Sequence, residues 1–200
     1  MNIESNEELL LSLDISTKTV GVSLFTVSGE LLELTHVAPI IKPQPDSKTE
    51  ELIKKAELVG EFLTKFAGLN IKHIAIEEPL LRSNNVNTVG TLLRFNGMVT
   101  LIVYNLFGGV VPDYISTYTS RSTAFPELMR EGSVKGKLVL FGGFPKDIDK
   151  KHVMWELVSK KEKQIKWLYD NKGKLKKENY DMVDSYVVGT SYLKLNNFIK

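Results

Sequence analysis

The amino-acid sequence predicts an α/β fold, with one mixed, five-stranded sheet and helices on both of its faces. Three observations lead there. Three β-rich runs near the start are joined by short connections, which implies an antiparallel meander. Helix-length segments then alternate with short apolar runs, the pattern of β–α units. The 200 residues are 42% hydrophobic and 25% charged, enough for a single domain over 1–200 with a full core.

Taken in order, Leu9–Ile15 is a largely apolar run and forms the first strand. Residues 19–27 alternate partly, and residues 30–37 follow a Val27-Ser28-Gly29-Glu30 turn. A loop over 38–46 carries Pro39, Pro43 and Pro45; Ser47 and Glu50 then have the spacing of a capping box that opens a helix ending near Gly68. Ile71–Glu77 is a short buried strand. Residues 84–107 are helical in length and apolar around most of the circumference, so this helix is buried deeply or shared with a partner chain. Gly108-Gly109 ends it, ahead of a strand over 110–116 and a short helix over about 119–129. The glycine-rich stretch 131–145 reads as a loop or a hairpin insertion. A basic helical segment follows at about 146–177, with an amphipathic helix over 148–169. Trp155 and Trp167, 12 residues apart, fall on roughly opposite flanks of that helix. A final helix spans about 178–196.

Composition removes several function classes. Cysteine is absent, which excludes a disulfide scaffold, a thiolate zinc site, an iron–sulfur cluster and a cysteine nucleophile. No stretch approaches the roughly 18 consecutive apolar residues of a membrane span, so no membrane partner is expected. Residues 1–8 carry three Glu and no Lys or Arg, the reverse of a signal peptide, and a cytoplasmic protein is expected. The net charge of +2 hides an asymmetry: residues 135–177 hold 13 Lys, no Arg and 5 acids, a net +8, which leaves the remainder at −6. A basic segment on an acidic body suggests a polyanion met on one side, although a solvated lysine-rich helix face would read the same way.

Three carboxylate features stand out. Asp14 sits inside the first strand, between Leu13 and Ile15, where an unpaired charge is costly. Glu77 and Glu78 end the fourth strand. Asp181 and Asp184 share one face of the last helix, among Met182, Val183, Tyr186, Val187 and Val188. Singly, each has a plainer reading as a turn cap, a solvated strand end or a surface pair. Together they sort differently, because the fourth strand can lie against the first with the last helix above both. Like charges on a half-buried face repel unless a cation lies between them, and oxygen ligands without His or Cys suit magnesium or manganese. Two such ions ~4 Å apart would suit phosphodiester cleavage.

These segments resemble a known family. Leu13-Asp14-Ile15-Ser16-Thr17-Lys18-Thr19-Val20-Gly21, Ile74-Ala75-Ile76-Glu77-Glu78 and Tyr180-Asp181-Met182-Val183-Asp184-Ser185 are similar, in order, to the three active-site segments of RuvC-type Holliday junction resolvases. Lys150-Lys151-His152-Val153 resembles the segment that bears that family's catalytic lysine, with Lys150 the better match. The resemblance implies an RNase H-like fold of the retroviral integrase superfamily and a homodimer joined through the helix at 84–107. It implies an endonuclease that resolves four-way DNA junctions by paired symmetric nicks. Asp14, Glu77, Asp181 and Asp184 would hold two Mg2+ ions, with Mn2+ able to substitute, and Lys150 would act on the phosphate or the leaving group. Leu81, Arg82, Lys151 and His152 would contact DNA. There are departures: Leu80-Leu81 stands where bacterial members often carry an aromatic wedge, Ser16-Thr17 replaces a glycine turn, and the loop at 131–145 is longer. Such divergence suits a phage- or virus-encoded member. Rival readings are an RNA-processing nuclease of the YqgF type, a DNA-binding protein without catalysis, and an ATP-binding domain of the actin and sugar-kinase type, which would need a second, Asp-Gly-Gly phosphate loop that this sequence lacks.

Overall fold

The computed structural model of the chain describes residues 7–79 and 85–200. Strands β1 (Leu9–Ile15), β2 (Val20–Thr26) and β3 (Leu31–Val37) form the antiparallel meander. Strand β4 (Ile71–Glu77) adds parallel to β1, and the short β5 (Asp113–Ile115) adds parallel to β4, giving the order β3-β2-β1-β4-β5. Five strands in one mixed sheet with helices on both faces is the architecture the sequence implies.

Alternation along the central strands divides the core into two layers. Leu9, Leu11, Leu13 and Ile15 of β1 join Ile74 and Ile76 of β4 against helices α1 (Lys48–Leu63) and α2 (Val86–Leu106). Burying each such side chain contributes about 1.5–3 kcal/mol. Leu10, Phe25 and Ala75 face the other way, toward helix α5 (Glu178–Leu195) and its Val183, Tyr186 and Val187. Ser47 caps α1 by accepting from the Glu50 N–H, as its spacing implies, and Asn85 caps α2 through the Thr88 N–H. By length and composition α2 could cross a membrane. Its Phe95, Val99 and Val103 nevertheless pack into the core, while Leu93, Leu101 and Tyr104 remain exposed on one outer stripe.

Beyond β5 the chain departs from the expected boundaries. Helix α3 (Thr117–Ala124) starts earlier, because the Ser116 hydroxyl accepts from the Thr119 N–H, and it stops at Phe125, which precedes Pro126. A hairpin of β6 (Met129–Glu131) and β7 (Leu138–Leu140) begins two residues before the glycine-rich stretch and runs into it. Helix α4 (Lys150–Lys161) is much shorter than the expected helix over 148–169. The chain leaves it at Glu162 and doubles back, with Ile165, Trp167 and Leu168 packed on the α5 side of the core. Asn179 holds the Leu168 backbone at both its N–H and its carbonyl. Trp155 and Trp167 therefore meet edge to face, with ring centroids 5.9 Å apart, instead of diverging on opposite flanks of one helix.

Candidate functional site

The site lies where α5 crosses the carboxyl ends of β1 and β4, the edge at which open α/β sheets bind ligands. The crossing is close because the facing residues are small. A side-chain carbon added at Gly21 of β2 would lie 1.9 Å from the Asp181 carbonyl oxygen. One added at Gly189 would lie 2.4 Å from the Ser12 hydroxyl. Ser12 in turn bonds Ser23 at 2.6 Å and donates to the Ser185 carbonyl at 3.0 Å. Helix α5 is thus tied to β1 and β2, and its first turns carry Asp181 and Asp184 over the sheet.

Register supplies the rest. Leu13 pairs with Ile76, so Asp14 and Glu77 are the next residues on neighbouring strands, and both point to the α5 face. Carboxylate oxygens of Asp14, Glu77 and Asp184 lie within 4.8 Å of one another. Asp181, a turn earlier on α5, lies at the edge of this group. Among the described residues, two cations face the group. The Arg121 guanidinium of α3 donates to Asp184 Oδ1 at 3.0 Å. The Lys151 ammonium of α4 donates to Asp184 Oδ2 at 2.9 Å and stands 3.8 Å from Asp181 Oδ1. The Thr117 hydroxyl donates to Glu77 Oε1.

The electrostatics follow from crowding acids in a half-enclosed place. Burial, then repulsion from Glu77, Asp184 and Asp181, raises the Asp14 pKa well above the usual carboxylate range. Burial and the Asp184 charge raise Glu77 to about 7, against the pull of Thr117, Arg121 and Lys151. Asp181 is raised to about 6, mainly by burial. For Lys151, burial works against the ammonium, but Asp184, Asp14 and Asp181 outweigh it and its pKa rises.

Asp14, Glu77, Asp181, Asp184, Arg121, Lys151 and Thr117 line a cleft of about 370 Å3. A second cleft, about 500 Å3, shares Ser16 and Leu92 with it and is otherwise lined, among the described residues, by Thr17, Lys18, Lys48, Asn87, Thr88 and Thr91, with no carboxylate among them. The turn between them needs no glycine, because the Ser16 hydroxyl closes it by donating to the Thr19 carbonyl at 2.8 Å.

The structure brings together Asp14, Glu77, Asp181 and Asp184, four of the acids singled out in the sequence. It separates the two lysines: Lys151 reaches the acids, whereas the Lys150 ammonium lies 5.4 Å from the centre of the Phe141 ring. His152 turns aside, its Nδ1 3.3 Å from the Tyr180 hydroxyl and its ring beside Trp155. Leu81 and Arg82 lie outside the described residues. Arg121 and Thr117 were not expected from sequence. The available signal was their position: they are four apart on the first turns after a strand parallel to β4, so they share a face at the ligand-binding edge.

No protein-family model matches the chain, and no curated protein matches it in sequence. Solved structures match it in fold. The Thermus thermophilus RuvC structure aligns with a TM-score of 0.55 and 14% identity, covering 94% of this chain and 96% of that one. T. thermophilus RuvC in complex with a Holliday junction substrate aligns with a TM-score of 0.56 and 11% identity over the same shares. A ROK family transcriptional regulator, a homologue of the E. coli MLC protein, aligns over 62% of this chain and 31% of its own, with a TM-score of 0.41 and 17% identity. Over nearly its whole length the chain therefore has the RNase H-like fold of the RuvC structures, with its acid cluster at the carboxyl edge of the central strands.

Proposed function

We propose that this protein is a metal-dependent endonuclease that cuts branched DNA, resolving four-way junctions by paired nicks. The observation that carries the reading is the convergence of Asp14, Glu77 and Asp184 from β1, β4 and α5, with oxygens within 4.8 Å of one another. This is a hard, all-oxygen donor set, and burying it without a cation is unfavourable. The residues fit a divalent ion: Asp14, Glu77 and Asp184 would hold one Mg2+, and Asp181 would complete the ligands of a second, with Mn2+ able to replace either. Bound there, such ions supply an activated water and neutralise charge that develops on a phosphate.

The chain's own groups do the remaining work. Arg121 fixes the Asp184 carboxylate and presents a guanidinium to the cleft, where it binds a phosphate oxygen. Lys151, rather than Lys150, is positioned to neutralise the phosphate or to protonate the leaving oxygen. Thr117 orients Glu77. The adjoining cleft of hydroxyls, amide and lysines, free of carboxylates among the described residues, suits the backbone of the strand leading away from the acids. The fold likeness to a RuvC structure that holds a Holliday junction supports branched DNA as the substrate class. Two nicks placed symmetrically require two sites, and the exposed stripe Leu93, Leu101 and Tyr104 on α2 suits a two-fold contact between copies.

The test is a nicking assay on a mobile four-way junction beside linear duplex and an RNA–DNA hybrid, with Mg2+, Mn2+ or EDTA. Metal-dependent paired nicks on the junction alone are expected. Asp14→Asn should bind the junction with wild-type affinity and lose at least about 100-fold in cutting, because it removes a metal ligand and no phosphate contact. Cutting of the hybrid in preference to the junction would move the activity to ribonuclease. Absence of cutting on every substrate would overturn the nuclease reading.

A further inference from the structure

We propose that Lys151 is a displaceable counter-ion of the acid cluster: its ammonium holds the place of metal charge at Asp184 and Asp181 until an ion enters, and is then released to face the phosphate. The inference rests on the metal-centre reading above and adds a competitor built into the site.

Both oxygens of Asp184 are already occupied. Arg121 takes Oδ1 at 3.0 Å and Lys151 takes Oδ2 at 2.9 Å, on a side chain only 6% exposed. An ion that uses Asp184 as a ligand must therefore share or displace one of these cations. The two are not equally held. The Arg121 side chain is 15% exposed and its planar fork is poorly suited to re-entering water, whereas the Lys151 side chain is 46% exposed on a flexible stem. The Lys151 backbone is anchored, since its N–H donates to the Asp149 cap, so the side chain alone is free to swing. Its ammonium also stands 3.8 Å from Asp181 Oδ1, between the two helix acids. Retaining it there beside a divalent ion would crowd like charges into a site of low effective dielectric. Lys150 offers no substitute, because its ammonium points away from the acids, 5.4 Å from the centre of the Phe141 ring. Lys151 thus lowers the intrinsic metal affinity and, once displaced, becomes available in the cleft where a phosphate would lie.

The test is calorimetric titration of Mn2+ into the full chain, without nucleic acid, for the wild type, Lys151→Met, Lys151→Gln and Lys150→Met, with melting curves in EDTA to establish that each is folded. Both Lys151 variants should bind Mn2+ roughly tenfold more tightly than the wild type, within the usual span of coupling free energies, and Lys150→Met should not differ. In the wild type, brief acetic anhydride labelling read by mass spectrometry should modify Lys151 more when Mn2+ is bound. Equal or weaker Mn2+ affinity in the folded Lys151 variants, or Lys151 labelling indifferent to Mn2+, would overturn the proposal and leave the metal centre standing. If no folded protein binds Mn2+, the metal-centre reading falls and the counter-ion with it.

Discussion

Asp14, Glu77 and Asp181 keep their protons to higher pH in the folded chain than in the unfolded one, because β1, β4 and α5 crowd them together out of water. For Glu77 the window runs from the ordinary 4.5 up to about 7. Within it the folded state binds more protons than the unfolded state, so stability falls as pH rises, and above it the repulsion is fully present. His36, held below 6.5 by burial, works in the opposite sense below that pH. The expected result is therefore stated as a difference. In EDTA, the melting temperature of the wild type should fall more between about pH 5.5 and pH 8 than that of Glu77→Gln, and Mn2+ should restore the wild type at the upper end. Identical pH profiles for the two proteins would count against the crowding. The acids themselves were legible in the sequence, since a charge between Leu13 and Ile15, or a pair amid Val183 and Tyr186, conflicts with its neighbours. Which lysine contacts Asp184 was not. Lys150 and Lys151 are adjacent at the start of α4, and only the docking of that helix beside α5 decides which ammonium meets Asp184.

At the scale of elements, the site depends on how closely α5 approaches the sheet. That approach is set by Ser12, Gly21 and Ser23 below and Ser185 and Gly189 above, none of which bears chemistry of its own. Gly21→Ala should be more damaging than its size suggests. The added carbon would meet backbone at Asp181, which has no rotamer to give, so α5 must lift or tilt. A cost of about 1–3 kcal/mol in urea unfolding is expected, as for other overpacked sites, with loss of nicking exceeding loss of junction binding because Asp181 and Asp184 move with the helix. Unchanged stability and unchanged cutting would mean that α5 does not sit so low. This closeness was hidden in the sequence, because Gly21 and Asp181 meet only after β2 and α5 are brought together. The first four strands, α1 and α5 were readable from periodicity and caps. The end of α4 was not: the Lys-rich run continues past Glu162 without a glycine or proline, and Asn179 clamping Leu168 holds the chain in its reversed path.

For the whole molecule, the helix whose apolar residues exceed what one core needs carries the assembly argument. Phe95, Val99 and Val103 satisfy the core side of α2, leaving Leu93, Leu101 and Tyr104 along one outer stripe, with Leu101 60% exposed. The sequence already held this surplus, but it could not say which residues face inward, since that phase is set by contact with α1 and the sheet. A two-fold contact along the outer stripe would pair each acid cluster with a second one in the same particle, which two coordinated nicks require. Leu101→Asp tests the assembly without disturbing the site. The position is exposed in the single chain, so folding should change by no more than about 0.5 kcal/mol. Across a self-complementary contact, however, the substitution sets two carboxylates against apolar surface. Analytical ultracentrifugation should then show monomer where the wild type is dimer, and on the four-way junction the variant should release singly nicked molecules instead of paired products. A wild type that is monomeric both alone and on the junction would remove α2 as the symmetry element. A Leu101→Asp protein that stays dimeric and cuts in pairs would place the contact on another face.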